Sequence, residues 1–135
     1  MDELFNLPPT PVAMPRAYWL GGEKRVLTSA ILVVQPSQFE YSRIETAITA
    51  AKSNEYDMEI MNILYQNSAL VLPHRPYIMI TSELYELDHA EYLGNHEEIW
   101  DPEAALRELK LIHFSDWPVP KVCTFPHSLF CSNIA

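Results

Sequence analysis

The stretch VLTSAILVVQPS, residues 26–37, decides how this chain is to be read. Ile31, Leu32, Val33 and Val34 follow one another without a polar break, and Pro36 stops the run. An apolar run of that length closed by proline predicts a strand, and the missing polar alternation predicts burial on both faces. Strands of that kind belong to mixed or parallel α/β sheets.

Working outward, Ser37-Gln38-Phe39-Glu40 has the spacing of a capping box, so a helix is predicted to begin there. Its apolar stripe is Ile44, Ala47, Ile48 and Ala51. EYDMEIMNILYQNS predicts a second helix with Met58, Met61, Leu64 and Tyr65 available for burial, and ALVLP a short strand after it. Asp101-Pro102-Glu103 places an N-cap before a first-turn proline, predicting a third helix to about Lys110, followed by a last strand in LIHF. Upstream, NLPPTPVAMPRAYW packs four prolines into the first fifteen positions and predicts a strand only near Val12–Met14. The segment from His74 to Trp100 carries no clean period; a short helix or turn is expected at His89–Leu93. Strands alternating with about three helices predict an α/β fold with a short mixed sheet.

The bulk numbers narrow the function. At 135 residues the chain is at most one ordinary domain. A net charge of −9 and the lack of any basic stripe argue against nucleic acid and anionic lipid. No apolar run approaches the roughly 18–20 residues that a membrane-spanning helix needs, and MDELFNLPPT has neither the basic start nor the apolar core of a signal peptide. Cys123 and Cys131, both in the last thirteen residues, define no disulfide framework. HExxH, CxxC, G-x-S-x-G, P-loop and GxGxxG patterns are all absent, which removes the ground for zinc-protease, hydrolase and kinase readings.

Several residues have two readings each. His113, in IHFSDWPVPK, points away from Ile112 and Phe114 in a strand, and it is either a metal ligand or a hydrogen-bonded histidine in a half-buried turn. Asp57 is either a plain N-cap or a ligand contact. Asn62 sits in mid-helix, where asparagine is unfavourable unless a polar contact repays it. Thr28 and Ser29 either bind a hydroxyl or close a turn. His74, His89 and His96, with the acidic residues that follow, read as a solvated surface.

In order along the chain, MDELFNLPPTPVAMPRAYW, LTSAILVVQPSQFEYSRI, YDMEIMNILYQNSALVLPHRPYIM and IHFSDWPVPK resemble the C-terminal half of family-8 glycosyltransferases. The likeness is to the glycogenin-like, retaining, nucleotide-sugar-dependent enzymes, and within them to the fungal glucose N-acetyltransferase-like branch of N-acetylglucosaminyltransferases. It covers residues 1–121; the tail 122–135 lies outside the family pattern. The resemblance implies a partial GT-A-type fold, a UDP-sugar donor (N-acetylglucosamine as the sugar) and a glycan acceptor. It implies Mn²⁺ held by His113 with two aspartates of a DxD motif, and Lys121 near the diphosphate. The family's NSG donor-sugar segment falls on Thr28-Ser29-Ala30, and its DQGLLN element falls on Asp57 to Asn62. Asp57 thereby becomes the candidate contact to the donor sugar or the reacting centre, with Asn62 beside it; Glu59 stands where the family has glycine.

The DxD motif lies just upstream of DELF in the family, and here the stretch is Met1-Asp2-Glu3-Leu4. The expectation is a truncated product, weakly active or inactive alone, whose exposed sheet edge invites self-association. The contrasting expectation is a non-catalytic interaction or binding fragment. The compartment is left open: the resemblance admits the Golgi, and no targeting or anchor segment is read here.

Overall fold

A computed structural model describes residues 1–114. Strands β1 (Val12–Pro15), β2 (Val33–Val34) and β3 (Leu70–Leu72) form a mixed sheet in the order β2-β1-β3. The middle strand pairs antiparallel with β2 (Ala13 with Val33) and parallel with β3 (Ala13 with Leu70). A second, parallel pair joins β4 (Met79–Ile80) to β5 (Ile112–His113), with Ile80 opposite His113. Five α-helices lie among the described residues: α1 (Gln38–Ala50), α2 (Asp57–Tyr65), α3 (His74–Tyr77), α4 (Ala90–Leu93) and α5 (Pro102–Glu108). Short 3-10 turns at Asp2–Asn6, Tyr18–Leu20, Gly22–Lys24 and Thr81–Leu84 fill the connections.

The α/β class and the three longer helices agree with the sequence reading; the count of about three helices does not. α3, α4 and β4 all come from the aperiodic segment 74–100, where elements of two to four residues are too short to establish a period. The decisive stretch is also corrected. Leu32 and Val34 are 39% and 45% exposed while Ile31 and Val33 pack against the core, so only one face of the run is covered; among the described residues β2 has one neighbour. The strand buried on both faces is β1: all four of its residues, Val12 to Pro15, are buried.

One core group gathers Val12, Met14, Leu27, Met61 and Tyr65 between β1 and α2. A second joins Tyr18, Met79, Ile80, Tyr92 and Ala105. A third sets Leu4, Ala13, Leu72 and Tyr77 on the other side of β1. Helix α1 begins at Ser37 as expected, whose hydroxyl accepts from the Glu40 amide at 3.4 Å. The reciprocal half of the box is missing, because the buried Glu40 carboxylate turns inward to the Tyr65 hydroxyl (2.5 Å) and to Arg43 (2.9 Å). The expected stripe on α1 is narrower than read: Ile44 packs on the core, while Ile48 is 58% exposed.

Candidate functional site

The site is built where the chain doubles back on β1. Gly21 (φ 83°) and Arg25 (φ 51°) both adopt left-handed backbone. At Gly21 that conformation costs nothing, having no Cβ; at Arg25 it is uncommon and is held in place by the Arg16 guanidinium, which donates to the Arg25 carbonyl. The turn returns residues 26–28 alongside the continuation of β1. The Ala17 amide donates to the Val26 carbonyl at 2.9 Å, and the Thr28 amide to the Pro15 carbonyl at 3.0 Å.

Helix α2 then clamps this returning segment. Asn62 Oδ1 accepts from the Leu27 amide (2.8 Å), and Asn62 Nδ2 donates to the Leu27 carbonyl (2.7 Å) and to the Met58 carbonyl (2.8 Å). This is the polar contact that repays an asparagine in mid-helix. Five residues earlier on the helix, Asp57 Oδ2 accepts from the Ser29 hydroxyl at 2.6 Å. Thr28 is buried and its Oγ1 accepts from the Ala30 amide at 3.2 Å, curling the loop back on itself. Thr28, Ser29, Ala30, Asp57 and Asn62 therefore belong to one junction.

Asp57 is not the N-cap. Tyr56 occupies that position and Asp57 is the first helical residue. The capping is done by Glu59, whose Oε2 accepts from the Tyr56 amide at 2.9 Å. That frees the Asp57 carboxylate, which is exposed, for Ser29 and for whatever approaches the loop. The residue standing in place of the family's glycine thus has a local task.

His113 lies half-buried at the end of β5. Among the described residues no three His, Cys, Asp or Glu side chains gather as a metal-ligand set. They offer Mn²⁺ a single imidazole, which does not fit a metal site by itself. Lys121 and the tail lie outside the described residues.

Sequence reasoning missed a second cluster. His74 and His89 are not a solvated surface. His74 stacks on Tyr18 (ring centroids 5.0 Å apart) with Nε2 2.6 Å from the Tyr92 carbonyl. His89 Nδ1 lies 2.8 Å from buried Glu83, and its ring stacks on Trp100. The signal that could have found it was the interleaving of these histidines with Tyr92 and Trp100, which acidic neighbours obscured.

The chain is 56% identical over 124 residues to a protein of Gibberella zeae named glucose N-acetyltransferase 1. It is 45% identical over 131 residues to the protein of that name from Aspergillus fumigatus, and 26% identical over 147 residues to that of Candida albicans. The first two alignments take in 90% of this chain and the third 87%. The chain spans about a third or less of these relatives, 28%, 34% and 31% of their lengths. No family model and no solved structure matches it.

Proposed function

We propose that this chain, a relative of the fungal glucose N-acetyltransferases along nine tenths of its length, carries the donor-sugar side of a glycosyltransferase. The reaction is retaining transfer of N-acetylglucosamine from a UDP-sugar to a glycan acceptor, on a GT-A-type frame. The bond from the sugar's anomeric carbon to the diphosphate breaks, a bond to an acceptor hydroxyl forms, and UDP and a proton leave. The observation that carries the reading is the 2.6 Å hydrogen bond from Ser29 to Asp57. It joins two segments that the family resemblance singles out separately, the one matching its donor-sugar loop and the one matching its DQGLLN element.

In this arrangement Asp57 presents its second carboxylate oxygen to donor-sugar hydroxyls, since Oδ2 is engaged by Ser29. Fixed acceptors of this kind position a ring without reorganising during the reaction. Ser29 and Ala30 form the rim of the loop, and Thr28 shapes it from within. Asn62 is a positioning residue, its amide committed to the Leu27 backbone. His113 would contribute one imidazole to Mn²⁺, which when bound neutralises diphosphate charge; Lys121 would assist it.

The relatives' name admits a different chemistry, transfer of an acetyl group onto glucose. The family resemblance to nucleotide-sugar enzymes favours transfer of the whole sugar. A ¹⁵N-labelled chain titrated with UDP-N-acetylglucosamine in Mn²⁺ should show saturable shifts at the Ser29, Ala30 and Asp57 amides, weakened in Asp57→Asn. Equal shifts with acetyl-coenzyme A, or none at these amides, would overturn the proposal.

A further inference from the structure

The cluster around His89 has the makings of a second binding site. Glu83 is 5% exposed, and its Oε1 faces His89 Nδ1 at 2.8 Å; the His89 side chain is itself 10% exposed. In the neutral tautomer that donates from Nδ1 to the Glu83 carboxylate, Nε2 is left as an acceptor. The ring cannot turn away, because Trp100 lies flat against it with centroids 4.0 Å apart and planes 14° apart. The Tyr18 hydroxyl, pushed up by burial first and close enough to Glu83 for that carboxylate to help, accepts from the Ile80 amide at 3.1 Å.

His89 lines a cleft of about 220 Å³ together with Asp88, Asn95, His96, Glu98 and Trp100. That is below the roughly 300–1,000 Å³ of sites for drug-sized ligands, and it suits a single small ring. Asp88 Oδ1 accepts from the Ala90 amide and Asn95 Oδ1 from the Glu97 amide. Among the described residues this leaves Asp88 Oδ2 as a spare acceptor and Asn95 Nδ2 as a spare donor. Glu98 is paired with Arg75 at 2.8 Å.

The lining selects a ligand class. It contains no lysine or arginine, and Asp88 together with a net charge of −9 disfavours an anion. No three of its histidine and carboxylate groups gather for a metal ion. Mostly polar walls disfavour an apolar guest. A neutral, hydroxyl-rich ring satisfies what remains, because each hydroxyl both donates and accepts. We propose that the His89 cleft binds one neutral sugar ring, with His89 Nε2 and Asp88 Oδ2 accepting from its hydroxyls and Asn95 Nδ2 donating to them. The proposal rests on the lining of this cleft and not on the function proposed above.

The test is a titration of the ¹⁵N-labelled chain with glucose, mannose and N-acetylglucosamine, followed by NMR at the backbone amides of Ala90, Asn95 and His96, which line the cleft. A saturable shift with one of them is expected, lost in His89→Ala and weakened about tenfold in Asp88→Asn, which keeps the Ala90 cap. Asn95→Ala should weaken it similarly. The proposal is overturned if no sugar shifts these amides, if the His89, Asp88 and Asn95 variants bind as well as the parent, or if Zn²⁺ or sulfate saturates the site in place of sugar. Sugar binding that survives alongside failed nucleotide binding would sink the transferase reading and leave this site standing.

Discussion

Asn62 on α2 and Leu27, thirty-five residues before it, exchange two hydrogen bonds at 2.8 and 2.7 Å that pair one side-chain amide with one whole peptide group. A helix thus completes the hydrogen bonding of an extended segment, doing what a neighbouring strand would do. Leu27 is itself fully buried, so its amide and carbonyl have no water to turn to.

Asn62→Ala should therefore cost about 1–3 kcal/mol, the penalty for leaving a buried backbone pair unmade. A lowered urea midpoint with unchanged slope would register it. Hydrogen exchange at the Leu27 amide should accelerate by more than exchange at Met14, which the substitution does not touch. Equal acceleration at both would mean that the clamp is no local device.

Glu3 makes a second long-range tie. Its Oε1 accepts from the Tyr77 hydroxyl at 2.9 Å and from Lys110 Nζ. The Lys110 hydrogen bond is the foremost cause holding the Glu3 carboxyl at about 2, down from an ordinary 4.5. A carboxyl depressed in the folded state contributes stability above its unfolded value, and that contribution is lost as pH falls from about 4.5 towards 2. Urea midpoints measured across this window should fall more steeply for the parent than for Glu3→Gln. Parallel curves would remove Glu3 from the account.

The edge strand β2 leaves Leu32 and Val34 exposed beside an open row of backbone groups. Exposed apolar edges pair with other chains unless a charge blocks them. Sedimentation velocity should show concentration-dependent self-association in the parent, reduced by Val34→Lys. A parent that stays monomeric at every concentration would refute the expectation.

The fold and the site were legible in the sequence to different depths. Capping and proline signals placed α1 and α5, and the apolar positions of EYDMEIMNILYQNS placed α2. The apolar run at Ile31–Val34 predicts burial on both faces, yet composition cannot say which faces the rest of the chain will cover. Only the pairing of β1 with both β2 and β3 decided which strand sat in the middle. At the site, the odd asparagine in α2 announced a polar partner without naming it, and Leu27 proved to be that partner. His89 stayed hidden, since its partner Glu83 precedes it by six residues on a segment with no period.

The pairing of β1 with β3 has a kinetic consequence. Ala13 and Met14 leave the ribosome well before Leu70 and Val71, their parallel partners. The tie from Glu3 to Lys110 closes later still, over 107 residues. Such distant contacts slow folding, because the entropy of closing a long loop is lost before the contact forms. During synthesis the most buried strand of the sheet can pair on one side with β2, but its other side must wait for more than half of the described chain to emerge. That interval is when a chaperone would hold it.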